Sequence, residues 1–307
     1  MQVSTNLLFD RASVQMSNIQ NDLAKSQAQI SAQKQVLNPS DAPDQASIIT
    51  RLKSMIGKQD SYQATLDAAQ ARLDAESTTL SNAGDILIRM KELTIQANNG
   101  SNGASTRTIL ATEMQGLRDQ LMSLANSTDS SGSYIFSGSR LHSPAFTTDS
   151  TGAVSYQGDQ TQMQVAVGDH RKLSINRPGT QAFVSVVRSG ADGVSTGTGF
   201  FTAIDELIAG VKSGNATVMQ RGLNEMAALH QGVVIAQANG GTDMKAIEQQ
   251  GAALDETKLS LKSALSGVED LDMPSAITKM QKQLLSLEAA QASFAKVSQM
   301  SLFAYLK

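Results

Sequence analysis

Apolar residues return at every seventh position along two long stretches of this chain, a period that allows little besides paired helices. In the first stretch Phe9, Met16, Leu23, Ile30 and Leu37 mark one seam position, and Ala12 and Ile19 mark the second before Ser26 and Gln33 weaken it. In the next, Leu52, Gln59, Leu66, Leu73, Leu80 and Leu87 keep the same step, with Tyr62, Ala69, Ala83, Met90 and Ala97 alongside. Between them lies Asn38-Pro39-Ser40-Asp41-Ala42-Pro43-Asp44. That segment predicts one helix running to Leu37, then a second capped by Ser40 or Asp41 with Pro43 in its first turn. No proline interrupts the second helix before the loop Asn98–Gly103, which at 1.5 Å per residue predicts a rod of roughly 80 Å. Leu110, Met114, Leu117, Leu121 and Leu124 then make the seam of a third helix, folded back on the second as an antiparallel hairpin.

The other end of the chain carries a matching signal. Ile277, Met280, Leu284, Leu287 and Phe294 form a narrow stripe, and Met273-Pro274 with Asp270 and Asp272 just ahead of them predicts a helix start. The acid cluster Glu269, Asp270 and Asp272 reads as capping and dipole complementarity rather than as a paired-carboxylate site. Beyond the stripe, Val297, Met300, Leu302, Phe303, Tyr305 and Leu306 are apolar on more than one side, a surface that needs a cover. The expectation is that Phe9–Leu37 and Ile277–Phe294 pair within one subunit, while Val297, Met300, Phe303 and Leu306 face neighbouring subunits.

The middle of the chain follows another pattern. Ser127–Gly199 is rich in glycine, serine and threonine, with short alternating runs at Met163–Val167, Leu173–Ile175 and Phe183–Val187 that read as strands. Helical patterning resumes from Phe200, pauses at Asn239-Gly240-Gly241 and continues through Leu254, Leu261 and Leu265. The expected fold is mainly α: a long coiled-coil rod from the N- and C-terminal arms with an inserted β-rich domain. Its domains are 1–42 with 270–307 for assembly, 43–142 with 200–269 as helical rod, and 143–199 as the β insert.

Composition excludes several functions. Only 4% of residues are aromatic against 40% hydrophobic, which suits long helices with thin seams. A net charge of -3 and the absence of a dense basic helix argue against nucleic-acid binding, zipper-type DNA binding included. There is no cysteine, hence no disulfide or thiolate site. His142, His170 and His230 share no metal-ligand spacing, no phosphate loop or nucleophile elbow is present, and no small-molecule substrate or cofactor is implied. The start lacks a basic region followed by an apolar core, and no run is long enough to span a bilayer. No catalytic, cofactor or metal residue is assigned.

Several separated motifs, in order, resemble the flagellin family. QKQVLNPSDAPDQASIITRL is similar to the end of that family's first helix and the start of its second, and EDLDMPSAI to the acidic entry of its terminal helix. GDILIRMKELTIQANNG, SYIFSGSRLHSPAF and LEAAQASFAKVSQMSLFAYL look like a junction subunit of the family rather than the filament flagellin. The resemblance covers both helical arms, and the β segment matches only in placement. One departure is the segment Asn239–Lys245, where a Gly-x-Arg-like element is expected.

The resemblance implies a non-enzymatic structural subunit, exported through the flagellar type III apparatus without a cleaved signal peptide and located outside the cell. It would form a ring-like homo-oligomer joining hook-associated protein 1 to flagellin, with an export chaperone guarding its C-terminal helix beforehand. A filament flagellin and a cytoplasmic coiled-coil scaffold are the alternatives.

Overall fold

The computed structural model describes residues 2–189 and 195–305, with side chains from Leu7 to Arg188, Leu8 apart, and from Ser195 to Lys296. Five long helices, α1 (Gln2–Ala32), α2 (Pro43–Ala97), α3 (Ala104–Ala125), α6 (Ala216–Glu269) and α7 (Met273–Tyr305), carry most of the chain. Between α3 and α6 come β1 (Phe146–Thr148), β2 (Val154–Tyr156), β3 (Gln164–Ala166), β4 (Lys172–Ser174), α4 (Gly179–Ala182), β5 (Val186–Ser189), β6 (Ser195–Thr198) and α5 (Phe200–Ser213). The fold is mainly helical with a small β-rich insert, as the alternation of heptads with glycine-rich segments predicts. Two compact units result, one of residues 1–59 with 256–307, the other of residues 60–255.

In the unit of residues 60–255, the heptad seam of α2 is buried. Leu66, Leu73, Leu80, Leu87, Ala69, Ala83, Met90 and Ala97 are all 2% exposed or less. Antiparallel α3 packs beside them, tied by Arg89 to Glu113 at 2.8 Å and by Thr79 near Ser127. Helix α5 lies against α3, where the buried Arg118 donates to Asp205 at 2.9 Å and sits 5.7 Å from the centre of the Phe201 ring. Helices α5 and α6 approach closely because glycines permit it: a Cβ on Gly210 would fall 2.5 Å from Val218, and one on Gly222 would fall 2.4 Å from Leu207. Gly214 caps α5 in the left-handed conformation with φ +71°.

The insert is three separate antiparallel hairpins, β1–β2, β3–β4 and β5–β6. Its large apolar residues Phe136, Phe146 and Phe183 join Phe200 and Phe201 of α5 in the helical core. They meet mostly edge to face at 5.2–5.6 Å, the favoured aromatic geometry. Phe183 is therefore a core residue at the end of α4, and the strand expected over Phe183–Val187 starts only at Val186. Asp159 staples the insert's first loop: its carboxylate accepts from the Ser139 hydroxyl, the Ser139 amide at 2.9 Å and the Thr161 amide at 3.0 Å. Those bonds, the Ser139 hydroxyl foremost, depress its pKa to about 2.

Two expected boundaries differ in the structure. Helix α1 stops at Ala32, short of Leu37, because Gln33 turns left-handed at φ +56° and Lys34 donates back to the Gln29 carbonyl at 3.2 Å. Leu37 thus lies in the following loop. Neither Ser40 nor Asp41 caps α2, since Pro43 is its first residue and Ala42 precedes it. The Asp41 carboxylate instead accepts the Asn38 amide at 3.2 Å and pairs with Lys25 of α1 at 2.8 Å.

The expected pause at Asn239-Gly240-Gly241 is absent, and α6 runs straight through it. Buried Val233, Ala236 and Ile247 on the same helix outweigh the roughly 1 kcal/mol that each helical glycine costs relative to alanine. Gly240 is itself buried, with a Cβ position 3.9 Å from Arg177 and Glu76. A Cβ on Gly241 meets nothing within 4 Å, so Gly241→Ala should stabilise the protein by about 0.5–1 kcal/mol. Gly222→Ala, forced against Leu207, should destabilise by about 1–3 kcal/mol. Urea unfolding of the two variants checks both signs.

Candidate assembly interface

In the unit of residues 1–59 with 256–307, α1 and α7 pack along each other. Their order is antiparallel: Phe9 meets Phe294 edge-on with ring centres 5.2 Å apart, and the Ser26 hydroxyl donates to Gln283 at 2.9 Å. On α1 the more buried positions are Phe9, Ala12, Met16, Ile19, Leu23, Ser26 and Ile30, which step alternately by three and four. On α7 they are Ala276, Met280, Gln283, Leu287, Ala290 and Phe294, with the same alternation. Ser26 and Gln283 are polar residues at seam positions, and they face each other.

A loop clasp closes one end of this pair. Lys34 bridges to Asp270, the Gln35 amide donates to the Glu269 carbonyl at 2.8 Å, and the Leu271 amide donates to the Gln33 carbonyl at 3.1 Å. The buried Glu269 carboxylate holds Lys34 at 2.6 Å and Lys53 of α2 at 2.9 Å. Glu269 is the last residue of α6, where a carboxylate opposes the helix dipole, so the two lysines offset an otherwise unfavourable charge. The capping expected of the whole acid cluster is therefore confined to Asp272, which precedes α7 and accepts the Ser275 hydroxyl at 2.5 Å, while its carbonyl accepts the Ala276 amide at 2.9 Å. The Lys34 and Lys53 partnership has no periodicity, and nothing in the sequence pattern marks it.

Of the residues expected at the interface, Phe9, Met16, Leu23, Ile30, Met280, Leu287 and Phe294 lie on the α1–α7 seam, and each remains half-buried. Leu37 is half-buried in the loop. Ile277 and Leu284 stand one position off the seam and are 39% and 38% exposed. The side chains of Val297, Met300, Phe303 and Leu306 fall outside the described residues. Periodicity alone passes over Leu7, Val14 and Leu285, which point away from the seam and are 51%, 60% and 68% exposed.

The contrast with α2 is informative. Among the described residues of α1 only Ser26 is buried, and among those of α7 none is. Two helices alone form a seam open on both flanks, and a cleft lined by Phe9, Ala12, Met16, Ala290 and Phe294 lies along it. Among the described residues there is no group of acids and histidines that could bind a metal, and no helix long and apolar enough to cross a membrane.

Residues 3–140 match the bacterial flagellin N-terminal helical region. That match to the flagellin family model covers just under half of the chain. Likeness to individual relatives is uneven. The chain is 28% identical to flagellar hook-associated protein 3 of Salmonella typhimurium, over 99% of both chains. It is 26% identical to flagellin B of Vibrio anguillarum over only 45% of this chain and 36% of that one. The fold matches the crystal structure of Xanthomonas campestris FlgL with a TM-score of 0.63 at 22% identity, covering 71% of this chain and 99% of that one.

The clasp generates a pH prediction with a definite sign. Lys34 foremost, then Lys53, holds the Glu269 carboxyl below the usual glutamate value, so the clasp's contribution is complete above the unfolded pKa of about 4.5 and disappears as pH falls through the lower folded value. Glu269 likewise raises Lys34, whose contribution is complete below about 10.5 and fades as pH rises through its raised folded value. Hydrogen exchange at the Gln35 and Leu271 amides, corrected for intrinsic rates, should show constant protection between those limits and progressive loss as pH falls below the unfolded value of about 4.5. Glu269→Gln should remove the acid dependence.

Proposed function

We propose that this chain is an adaptor subunit of the bacterial flagellum, joining hook-associated protein 1 at the hook end to the flagellin filament. It acts outside the cell after type III export, with an export chaperone as its cytoplasmic partner and copies of itself as neighbours in a ring. The observation that carries this reading is the full-length likeness to flagellar hook-associated protein 3, set against a likeness to flagellin B that stops short of half the chain. Residues 1–42 with 270–307 serve as the assembly domain, 43–142 with 200–269 as the helical rod and 143–199 as the β-rich insert.

The state of the α1–α7 pair supports assembly through the termini. The seam residues keep part of their apolar area in water, the off-seam Leu7, Val14, Ile277, Leu284 and Leu285 keep more, and at about 25 cal/mol per Å² that area favours association. Phe9, Met16, Leu23, Ile30, Met280, Leu287 and Phe294 hold the pair together on this reading, and Leu37 packs in the loop that follows α1. Ile277 and Leu284, together with Val297, Met300, Phe303 and Leu306, meet the neighbours.

Sheared flagella separate this role from a cytoplasmic scaffold: the protein should fractionate with them at far lower abundance than flagellin. Purified protein should not form long filaments by itself, which separates it from a filament flagellin. Ile277→Asp with Leu284→Asp should leave the helix content of the soluble protein intact and reduce filament attachment at least tenfold, each buried aliphatic contact being worth about 1.5–3 kcal/mol. Normal filaments in a strain carrying that double variant would overturn the assignment of this face.

A further inference from the structure

One turn of α2 holds two buried charges where its seam has otherwise been apolar. Glu76 falls seven residues after Ala69 and seven before Ala83, at a position that an alanine would fill without cost. Its side chain is 1% exposed. One of its oxygens accepts from Arg177 Nε at 2.9 Å, and the other Arg177 arm donates to Asp243 of α6 at 3.1 Å. Four residues earlier, Arg72 pairs with Asp129 and donates to the carbonyls of Tyr134 at 3.0 Å and Ile135 at 3.3 Å. Asp129 lies in the segment that leads from α3 to the insert, while Arg177 ends the insert's return leg before α4, so a single helical turn grips both ends of it.

The signs alternate: positive then negative on α2, negative then positive on the insert. We propose that the Arg72–Glu76 turn is a two-point charge code that selects how the insert seats on α2 and α6. Apolar contacts supply attraction without alignment here, because Val165, Val167, Leu173 and Ile175 pack against Leu66, Ala69 and Leu73 of a helix whose leucines repeat every seven residues. A seating displaced by one turn toward the start of α2 brings Arg177 to Arg72, and one displaced the other way brings Asp129 to Glu76, so either slip sets like charges together in a desolvated site, where repulsion is strongest. Asp243 extends the reading to α6. Burial pushes the Glu76 carboxyl up while Arg177 pulls it down, the mark of an ion pair kept at a cost. A buried pair that contributes little net stability is the kind that specifies an arrangement.

The test compares Glu76→Gln, Arg177→Gln and the double variant by hydrogen exchange at the Val165–Val167 and Leu173–Ile175 amides. Arg177→Gln leaves the Glu76 carboxylate without its guanidinium, and Glu76→Gln leaves Arg177 with only the more exposed Asp243, so each single variant should accelerate exchange there at least tenfold, with α3 and α5 unaffected; the double, with neither charge, should return to within about threefold of the parent. A double variant that exchanges faster than either single would mean that the contact supplies energy rather than alignment. Unchanged single variants, or equal acceleration throughout α3 and α5, would equally overturn the proposal.

Discussion

The leucines that α2 repeats every seven residues are the constraint on which the rest of the larger unit depends. Leu66, Leu73, Leu80 and Leu87 are 1–2% exposed, and at about 1.5–3 kcal/mol each their burial supplies roughly 6–12 kcal/mol before any partner residue is counted. Such a stripe must be covered along its whole length. Helix α3 folds back to cover part, the α5–α6 hairpin with its glycine contacts covers another, and the aromatic cluster of the insert closes what the helices leave. The insert is thereby a participant in the helical core rather than a separate domain with a core of its own.

The strong periodicities in the sequence located the helices well, because a seven-residue repeat of large side chains has few other physical solutions. The seam of α2 and the pairing of its ends with α3 were legible in Leu66 through Leu87 and in Leu110 through Leu124. Boundaries were less so. Gln33 ends α1 by adopting a left-handed conformation that no residue preference for glutamine announces, and Leu37 kept the seven-residue step by coincidence beyond the helix. The two glycines at 240 and 241 read as a stop, yet tertiary burial on either side overrides a cost of about 1 kcal/mol each.

Polar partnerships were the least legible part of the molecule. The Glu269 clasp joins residues at 34, 53 and 269, and the charge pair under the insert joins 76 to 177. Neither involves a local spacing. Glu76 did leave a trace in the sequence, as a charged residue at the second seam position between Ala69 and Ala83, a gap in the pattern where an interior partner had to exist. Gln283 and Ser26 left the same kind of trace, and each turned out to be the other's partner.

The two helical seams of this chain differ in what they complete. In α2 the same heptad grammar gives side chains wholly removed from water, because three further helices and an insert surround it within one unit. In α1 and α7 it gives side chains that stay half-exposed, because two helices can cover each other on one side only. A sequence that continues to place leucine and isoleucine at 277, 284 and 285, outside the seam it already has, specifies more apolar surface than one chain can use. Apolar surface of that extent on the described faces of α1 and α7 is what the proposed association would remove from water. The polar pair Ser26–Gln283 is tolerated in the seam because each satisfies the other, so the helices keep their alignment whether or not their flanks are covered.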